Sequence, residues 1–146
     1  MIYNKSIQKY VDELKDNHTK DLYITLCIIY DVSGNIMRTA IIDQDIPLAE
    51  DKRLIKRLYK VRKSDDFPDG LEFAYQFLYF KNDKWIQVAR IDNQLHEGRP
   101  GTHIHILHRD KVQWTNLTFE KAEEKVIETG ESVIKNIINR SQGDLK

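Results

Sequence analysis

Histidine is concentrated in one short stretch of the chain. Four of the five histidines fall within thirteen residues, namely His96, His103, His105 and His108. An unperturbed imidazole has a pKa of about 6.5, so at neutral pH one histidine can accept a proton while a second, protonated one donates. Because side chains alternate along a strand, His103 and His105 are expected on one face, with Ile104 packing on the other. The pattern predicts two imidazoles that stand side by side and face solvent.

A polar corner precedes these histidines in the chain. Arg90, Asp92 and Asn93 lie at the end of the preceding predicted strand, and they would converge on the histidines if the two strands pair. RNA cleavage needs such a set: a base takes the 2′-hydroxyl proton, an acid protonates the leaving 5′-oxygen, and a cation stabilises the phosphorane. We therefore expect a candidate ribonuclease whose catalytic residues are His103, His105, His96, Asp92 and Arg90. The further candidate binding residues at this site are Asn93, Arg99, His108 and Arg109.

The same histidines also suit a metal ion. A His-x-His pair on a strand, with a third histidine and Asp92, is a plausible ligand set for zinc or manganese. The alternative hypothesis is therefore a metal-dependent phosphoester or nucleotide hydrolase, whereas the ribonuclease hypothesis needs no cofactor. The histidine-triad pattern of nucleotide hydrolases is broken, because Leu107 stands where that pattern has its third histidine.

A basic segment over residues 52–63 is the second chemical feature. As a helix it would gather its cations on one side, in a patch that could track a phosphate backbone or dock an acidic partner. The third hypothesis is accordingly a non-enzymatic binding module, although charge runs are usually solvated faces. The residues proposed to carry this binding are Lys56, Arg57 and Lys60.

Apolar periodicity predicts the elements that position these residues. Helical spacing indicates helices over residues 4–16, 50–63 and 118–140, and the end of the second of these could also continue as a strand. Strands are predicted over residues 21–30, 36–42, 71–80, 85–91 and 102–108, with Pro47 ending the second run. The aromatic row of the 71–80 strand is expected to pack in the core. The sum is an α+β fold in which an antiparallel sheet of about five strands packs against N-terminal, middle and long C-terminal helices.

Length and composition bound the possible classes of protein. The chain has 146 residues, with 23 Lys and Arg against 23 Asp and Glu, which favours a single domain over 1–146 with a frayed tail at 141–146. No apolar run approaches the roughly 20 residues of a membrane span. The single cysteine, Cys27, cannot form an internal disulfide, which favours a cytoplasmic location. A homo-oligomer is compatible with this sequence.

The region from about residue 71 to 140 resembles the TumE family of toxin components in prokaryotic toxin–antitoxin systems. The resemblance is carried by Arg90-Ile91-Asp92-Asn93 closing a strand, by His96 in the following loop, and by His103-Ile104-His105 before a long helix. Ile91 stands where that family has an aromatic residue. The resemblance implies a small toxin that acts inside the cell and is bound by a cognate antitoxin protein. Ribonuclease action on RNA is expected from the histidines themselves.

Overall fold

The computed structural model describes residues 28–30 and 36–143 of the chain. Seven strands form one antiparallel sheet in which each strand pairs with the next along the chain. The strands are β1 (Ile28–Tyr30), β2 (Ile36–Ala49), β3 (Lys52–Val61), β4 (Leu71–Lys81), β5 (Lys84–Asp92), β6 (Thr102–Ile106) and β7 (Gln113–Thr115). A single helix, α1 (Phe119–Gly143), follows them in the described part of the chain.

Short connections between successive strands produce this simple order. Between β4 and β5 the chain turns on Asn82 and Asp83, whose φ angles are 53° and 62°. Two consecutive positive φ angles define the turn type whose twist matches that of a β-hairpin, and Asn and Asp tolerate this backbone well. The predicted hairpin over residues 71–91 is therefore confirmed, and it presents the end of β5 beside β6.

The hydrophobic core lies between one face of the sheet and α1. The sheet contributes Tyr75, Phe77 and Ile91, which are fully buried, and the helix contributes a stripe that includes Phe119 and Val126. The ring of Tyr75 stacks on that of Phe119 with centroids 5.1 Å apart, and its hydroxyl donates a 3.0 Å hydrogen bond to the Phe119 carbonyl. The predicted C-terminal helix and the core packing of the aromatic row are thus confirmed.

The predicted middle helix is wrong, because residues 52–61 form strand β3 in the interior of the sheet. Leu54 and Leu58 are the residues of this segment that are fully buried. Their spacing of four fits one side of a helix and also one face of a strand, so periodicity could not separate the two. Pairing with β2 on one side and β4 on the other decides the outcome, and such partners are distant in sequence.

This strand divides the basic segment between the two faces of the sheet. Lys52 and Lys56 lie on the helix side, where they pair with Glu131 at 2.9 Å and Glu123 at 3.1 Å. Arg57 points to the opposite face, as does Arg53. They pair with Asp43 at 3.3 Å and Asp45 at 3.2 Å respectively. Alternation puts Lys60 on the side of Lys56. The cations therefore do not form the one-sided patch that a helix would have provided.

Other boundaries also differ from the sequence prediction. Strand β2 continues through Pro47 to Ala49 instead of ending there. In the described residues β1 pairs with β2 only as far as Thr39, so Pro47 has one partner strand and its missing N–H is tolerated. Among residues 28–30 and 36–143 the sheet has seven strands and not about five. The predicted helix over 4–16 and most of the predicted strand over 21–30 lie outside the described residues.

Candidate histidine site

The register between β5 and β6 brings the polar corner to the histidines. Arg90 lies opposite His105, and Asp92 lies opposite His103. All four side chains project from the face of the sheet opposite α1, because the intervening Ile91 and Ile104 are buried in the core. The apolar side of each strand therefore fixes the position of the polar side chains on the other.

A third imidazole reaches this pair from the loop after β5. Two backbone hydrogen bonds, of 3.1 and 3.0 Å, join His96 and Arg99 to each other. Between them Glu97 and Gly98 have φ angles of 51° and 77°, which closes a tight turn. The ring of His96 consequently lies 5.1 Å from that of His103 and 5.4 Å from that of His105, and the latter two are 4.8 Å apart between centroids.

The carboxylate of Asp92 contacts the histidine cluster and is buried, because Asp92 is only 2 % exposed. Its oxygens accept hydrogen bonds from Arg90 Nε at 2.7 Å and from the Gln94 backbone N–H at 3.0 Å. They also lie 3.4 Å from His103 Nε2 and 3.6 Å from His105 Nε2. A buried carboxylate is stable only when such partners surround it. Asp92 therefore holds both imidazoles and the guanidinium in fixed positions.

Only one member of the predicted solvent-facing pair is accessible. The side chain of His103 is 2 % exposed, and its Nδ1 lies 3.3 Å from the Gly101 carbonyl oxygen, whereas the side chain of His105 is 34 % exposed. Trp114 on β7 covers His103, with ring centroids 5.0 Å apart. The prediction that both rings face solvent is wrong for His103. Since His96 is half-buried, the accessible imidazoles are His96 and His105.

These groups line a pocket of about 330 Å³ on the face of the sheet opposite α1. Burial lowers the pKa of His105, and the neighbouring imidazoles and Arg90 act in the same direction, while Asp92 opposes them. The lining residues are Gln87, Arg90, Asp92, Gln94, Leu95, His96, His103 and His105. A larger groove of about 680 Å³ runs along the start of α1 and contains none of these histidines.

The remaining predicted binding residues lie outside this pocket. Asn93 has a structural role, since its amide accepts from the Phe73 N–H at 2.8 Å and donates to the Leu71 carbonyl at 2.9 Å. The guanidinium of Arg99 stacks 3.9 Å from the Trp114 ring centre. His108 and Arg109 are exposed beyond the end of β6 and do not line the pocket.

Sequence reasoning missed Gln94, which connects two charged groups of the site. Its side chain accepts from Arg90 Nη2 at 2.9 Å and donates to Glu72 at 2.7 Å. Its place two residues after Asp92 was the available signal, because an aspartate commonly accepts the backbone N–H two positions later. Trp114 was also missed, because its packing on His103 depends on the pairing of β6 with β7.

No helix in the part of the chain that the structure describes is long and apolar enough to cross a membrane. Comparisons of the chain with family models, with curated proteins and with solved structures found no match. The resemblance to the TumE family therefore stays a prediction carried by the motif residues.

Proposed function

We propose that this protein cleaves RNA at the histidine pocket, as the toxin component of a prokaryotic toxin–antitoxin system. The observation that carries the proposal is the presence of two accessible imidazoles, His96 and His105, with ring centroids 5.4 Å apart in the pocket that Arg90 lines. One proton acceptor, one proton donor and one fixed cation are the groups that transesterification of an RNA phosphodiester requires.

His105 is the proposed general base. Its lowered pKa favours the neutral imidazole at neutral pH, and neutral imidazole has one nitrogen free to accept. Because Asp92 lies 3.6 Å from Nε2, it favours a proton on that nitrogen and leaves Nδ1 as the acceptor. His105 takes the 2′-hydroxyl proton while the 2′-oxygen attacks phosphorus. The products are a 2′,3′-cyclic phosphate and a 5′-hydroxyl.

His96 is the proposed general acid, and Arg90 the phosphate ligand. His96 approaches the pocket from the loop after β5, and its proton passes to the departing 5′-oxygen. The Arg90 guanidinium uses Nε for Asp92 and Nη2 for Gln94, which leaves further N–H donors for the non-bridging phosphate oxygens. The buried His103 is a positioning residue, since it packs against both catalytic rings.

The toxin assignment and the antitoxin partner come from the resemblance of residues 90–105 to the TumE motif. A toxin of this kind acts on a substrate inside the cell and is silenced by a cognate protein. If expression of this protein arrests growth, co-expression of an adjacent short reading frame that encodes its antitoxin should relieve the arrest.

The test is cleavage of an RNA oligonucleotide in the presence of a chelator. Loss of a general acid or base typically lowers the rate by about 10² to 10⁴. His105→Ala and His96→Ala should each lose at least 10²-fold, and the 5′ product should end in a 2′,3′-cyclic phosphate. An oligonucleotide with one 2′-deoxyribose at the cleavage position should resist the enzyme. His108→Asn, outside the pocket and compatible with the positive φ of 63° there, should cleave normally. Full activity in both alanine variants would refute the assignment.

A further inference from the structure

We infer that the three imidazoles of this pocket bind one zinc-class ion and that the bound ion blocks RNA cleavage. This inference rests on the proposed function for its second half only. Its first half rests on geometry, because one ring nitrogen from each of His96, His103 and His105 lies within 4.8 Å of the other two. Three convergent imidazole nitrogens from two adjacent elements form an open coordination site of the kind that zinc occupies with water in its fourth position.

The surroundings of His103 match those of a metal-bound histidine. Such histidines usually donate one ring N–H to a carbonyl or carboxylate, which fixes the orientation of the ring and directs the other nitrogen to the ion. Here Nδ1 faces the Gly101 carbonyl at 3.3 Å, and Nε2 faces the Asp92 carboxylate at 3.4 Å. A hydrogen bond from Nδ1–H to the Gly101 carbonyl leaves the Nε2 lone pair for the ion, and Asp92 supports the site as a neighbouring carboxylate, not as a ligand.

The donor types select the ion. Imidazole nitrogen suits zinc, copper and nickel, whereas magnesium requires oxygen ligands in near-octahedral geometry. The carboxylate that lines this pocket belongs to Asp92, and both of its oxygens already accept hydrogen bonds, one from Arg90 and one from the Gln94 backbone. The Arg90 cation beside it further weakens any oxygen-based site. We therefore expect zinc to bind and magnesium not to bind.

Occupation of this site removes the groups that the proposed reaction uses. A neutral imidazole has one ring nitrogen with a free lone pair, so His96 or His105 bound to the ion through either nitrogen has no lone pair left for a proton. A protein with zinc bound can then neither take the 2′-hydroxyl proton nor return one to the leaving oxygen. Zinc is expected to act as a reversible inhibitor that a chelator removes.

The experiment titrates zinc chloride into the full chain, purified without a histidine tag, and reads binding by competition with a chromophoric chelator. One equivalent should bind, and His96→Ala should weaken the affinity at least 10-fold. Asp92→Asn should weaken it about 10- to 100-fold, as loss of a supporting carboxylate does elsewhere. His108→Asn should bind as the native chain does, and magnesium chloride should not compete. Circular dichroism of each variant separates loss of a ligand from loss of the fold. His96 lies in a surface turn, so its variant keeps the inference testable if Asp92→Asn does not fold.

The possible outcomes distinguish the zinc-site inference from the proposed ribonuclease function. One zinc per chain, lost in the His96 variant and inhibiting RNA cleavage, supports the inference. If no zinc binds, or if the His96→Ala variant binds zinc as tightly as the native chain, the zinc-site inference is overturned. The proposed ribonuclease function is unaffected by that result. Cleavage that requires zinc overturns the inhibitory role and the metal-free mechanism together. Zinc binding in a chain that cleaves no RNA overturns the proposed function, while the metal site stands.

Discussion

The substitution Asp92→Asn tests the physical basis of the site, because it removes one charge and changes the shape of the side chain very little. In the native chain the carboxylate is 2 % exposed and accepts from Arg90 Nε at 2.7 Å and from the Gln94 N–H at 3.0 Å. An asparagine can accept only one of these bonds with its single oxygen, so a donor is left facing the new NH₂ group.

The expected loss of stability follows from these contacts. A hydrogen bond to a charged group contributes about 1.5–3 kcal/mol, and breaking a fully buried ion pair costs about 3–5 kcal/mol. Since the Arg90 side chain is 26 % exposed, water replaces part of what is lost. We expect Asp92→Asn to lower the free energy of unfolding by about 2–3 kcal/mol.

Urea denaturation followed by tryptophan fluorescence measures this loss, with Asp43→Asn as the matched control. Asp43 also pairs with an arginine, Arg57, but the two side chains are 43 % and 44 % exposed. An exposed pair contributes about 0–1 kcal/mol, so the control should lose less than about 1 kcal/mol. Equal losses in the two variants would show that Asp92 is not the buried anchor of the site.

Three further predictions concern the core and the sheet. Gly130→Ala would place a Cβ 2.6 Å from the Phe77 ring. The overpacking should cost about 1–3 kcal/mol and outweigh a helix-propensity gain of about 1 kcal/mol, so the melting temperature should fall. A higher melting temperature would contradict this packing. Burial and Glu123 raise the pKa of Tyr75 above its ordinary value of 10.0. The folded chain therefore keeps the full contribution of the protonated tyrosine to the free energy of unfolding below pH 10, and this contribution falls as the pH rises above 10. Absorbance at alkaline pH should show that Tyr75 ionises only on unfolding, as a signal that is missing in Tyr75→Phe; ionisation of Tyr75 in the folded chain would contradict its burial. Lys56→Glu should lower the free energy of unfolding, and adding Glu123→Lys to that variant should restore part of it, because the two side chains are 3.1 Å apart. A double variant whose loss equals the sum of the two single losses would contradict the placement of β3.

Local patterns predicted the elements that position the site. Alternation in Leu71–Lys81 and Lys84–Asp92 indicated the hairpin, and the 3.6-residue period indicated the helix at Phe119–Gly143. The single isoleucine between His103 and His105 put both on one face once the strand formed. These features depend on residues that are close together in the chain, so the local sequence pattern is enough to predict them.

Contacts between distant segments could not be predicted in the same way. Leu54 and Leu58 fit a helix and a strand equally well, and the pairing of β3 with β2 and β4 decided between them. The burial of His103 likewise depends on Trp114 of β7 and on the loop that carries His96. The accessible pair of imidazoles, His96 and His105, therefore differs by one residue from the pair that alternation suggested.

Ribonuclease action at the histidine pocket is tested by the product and rate of RNA cleavage by the native chain and by the His105→Ala and His96→Ala variants, in the presence of a chelator. We expect a 2′,3′-cyclic phosphate end from the native chain and a rate at least about 10²-fold lower in each variant. Native-level cleavage by both variants, or equal cleavage of a substrate without the 2′-hydroxyl, would contradict it.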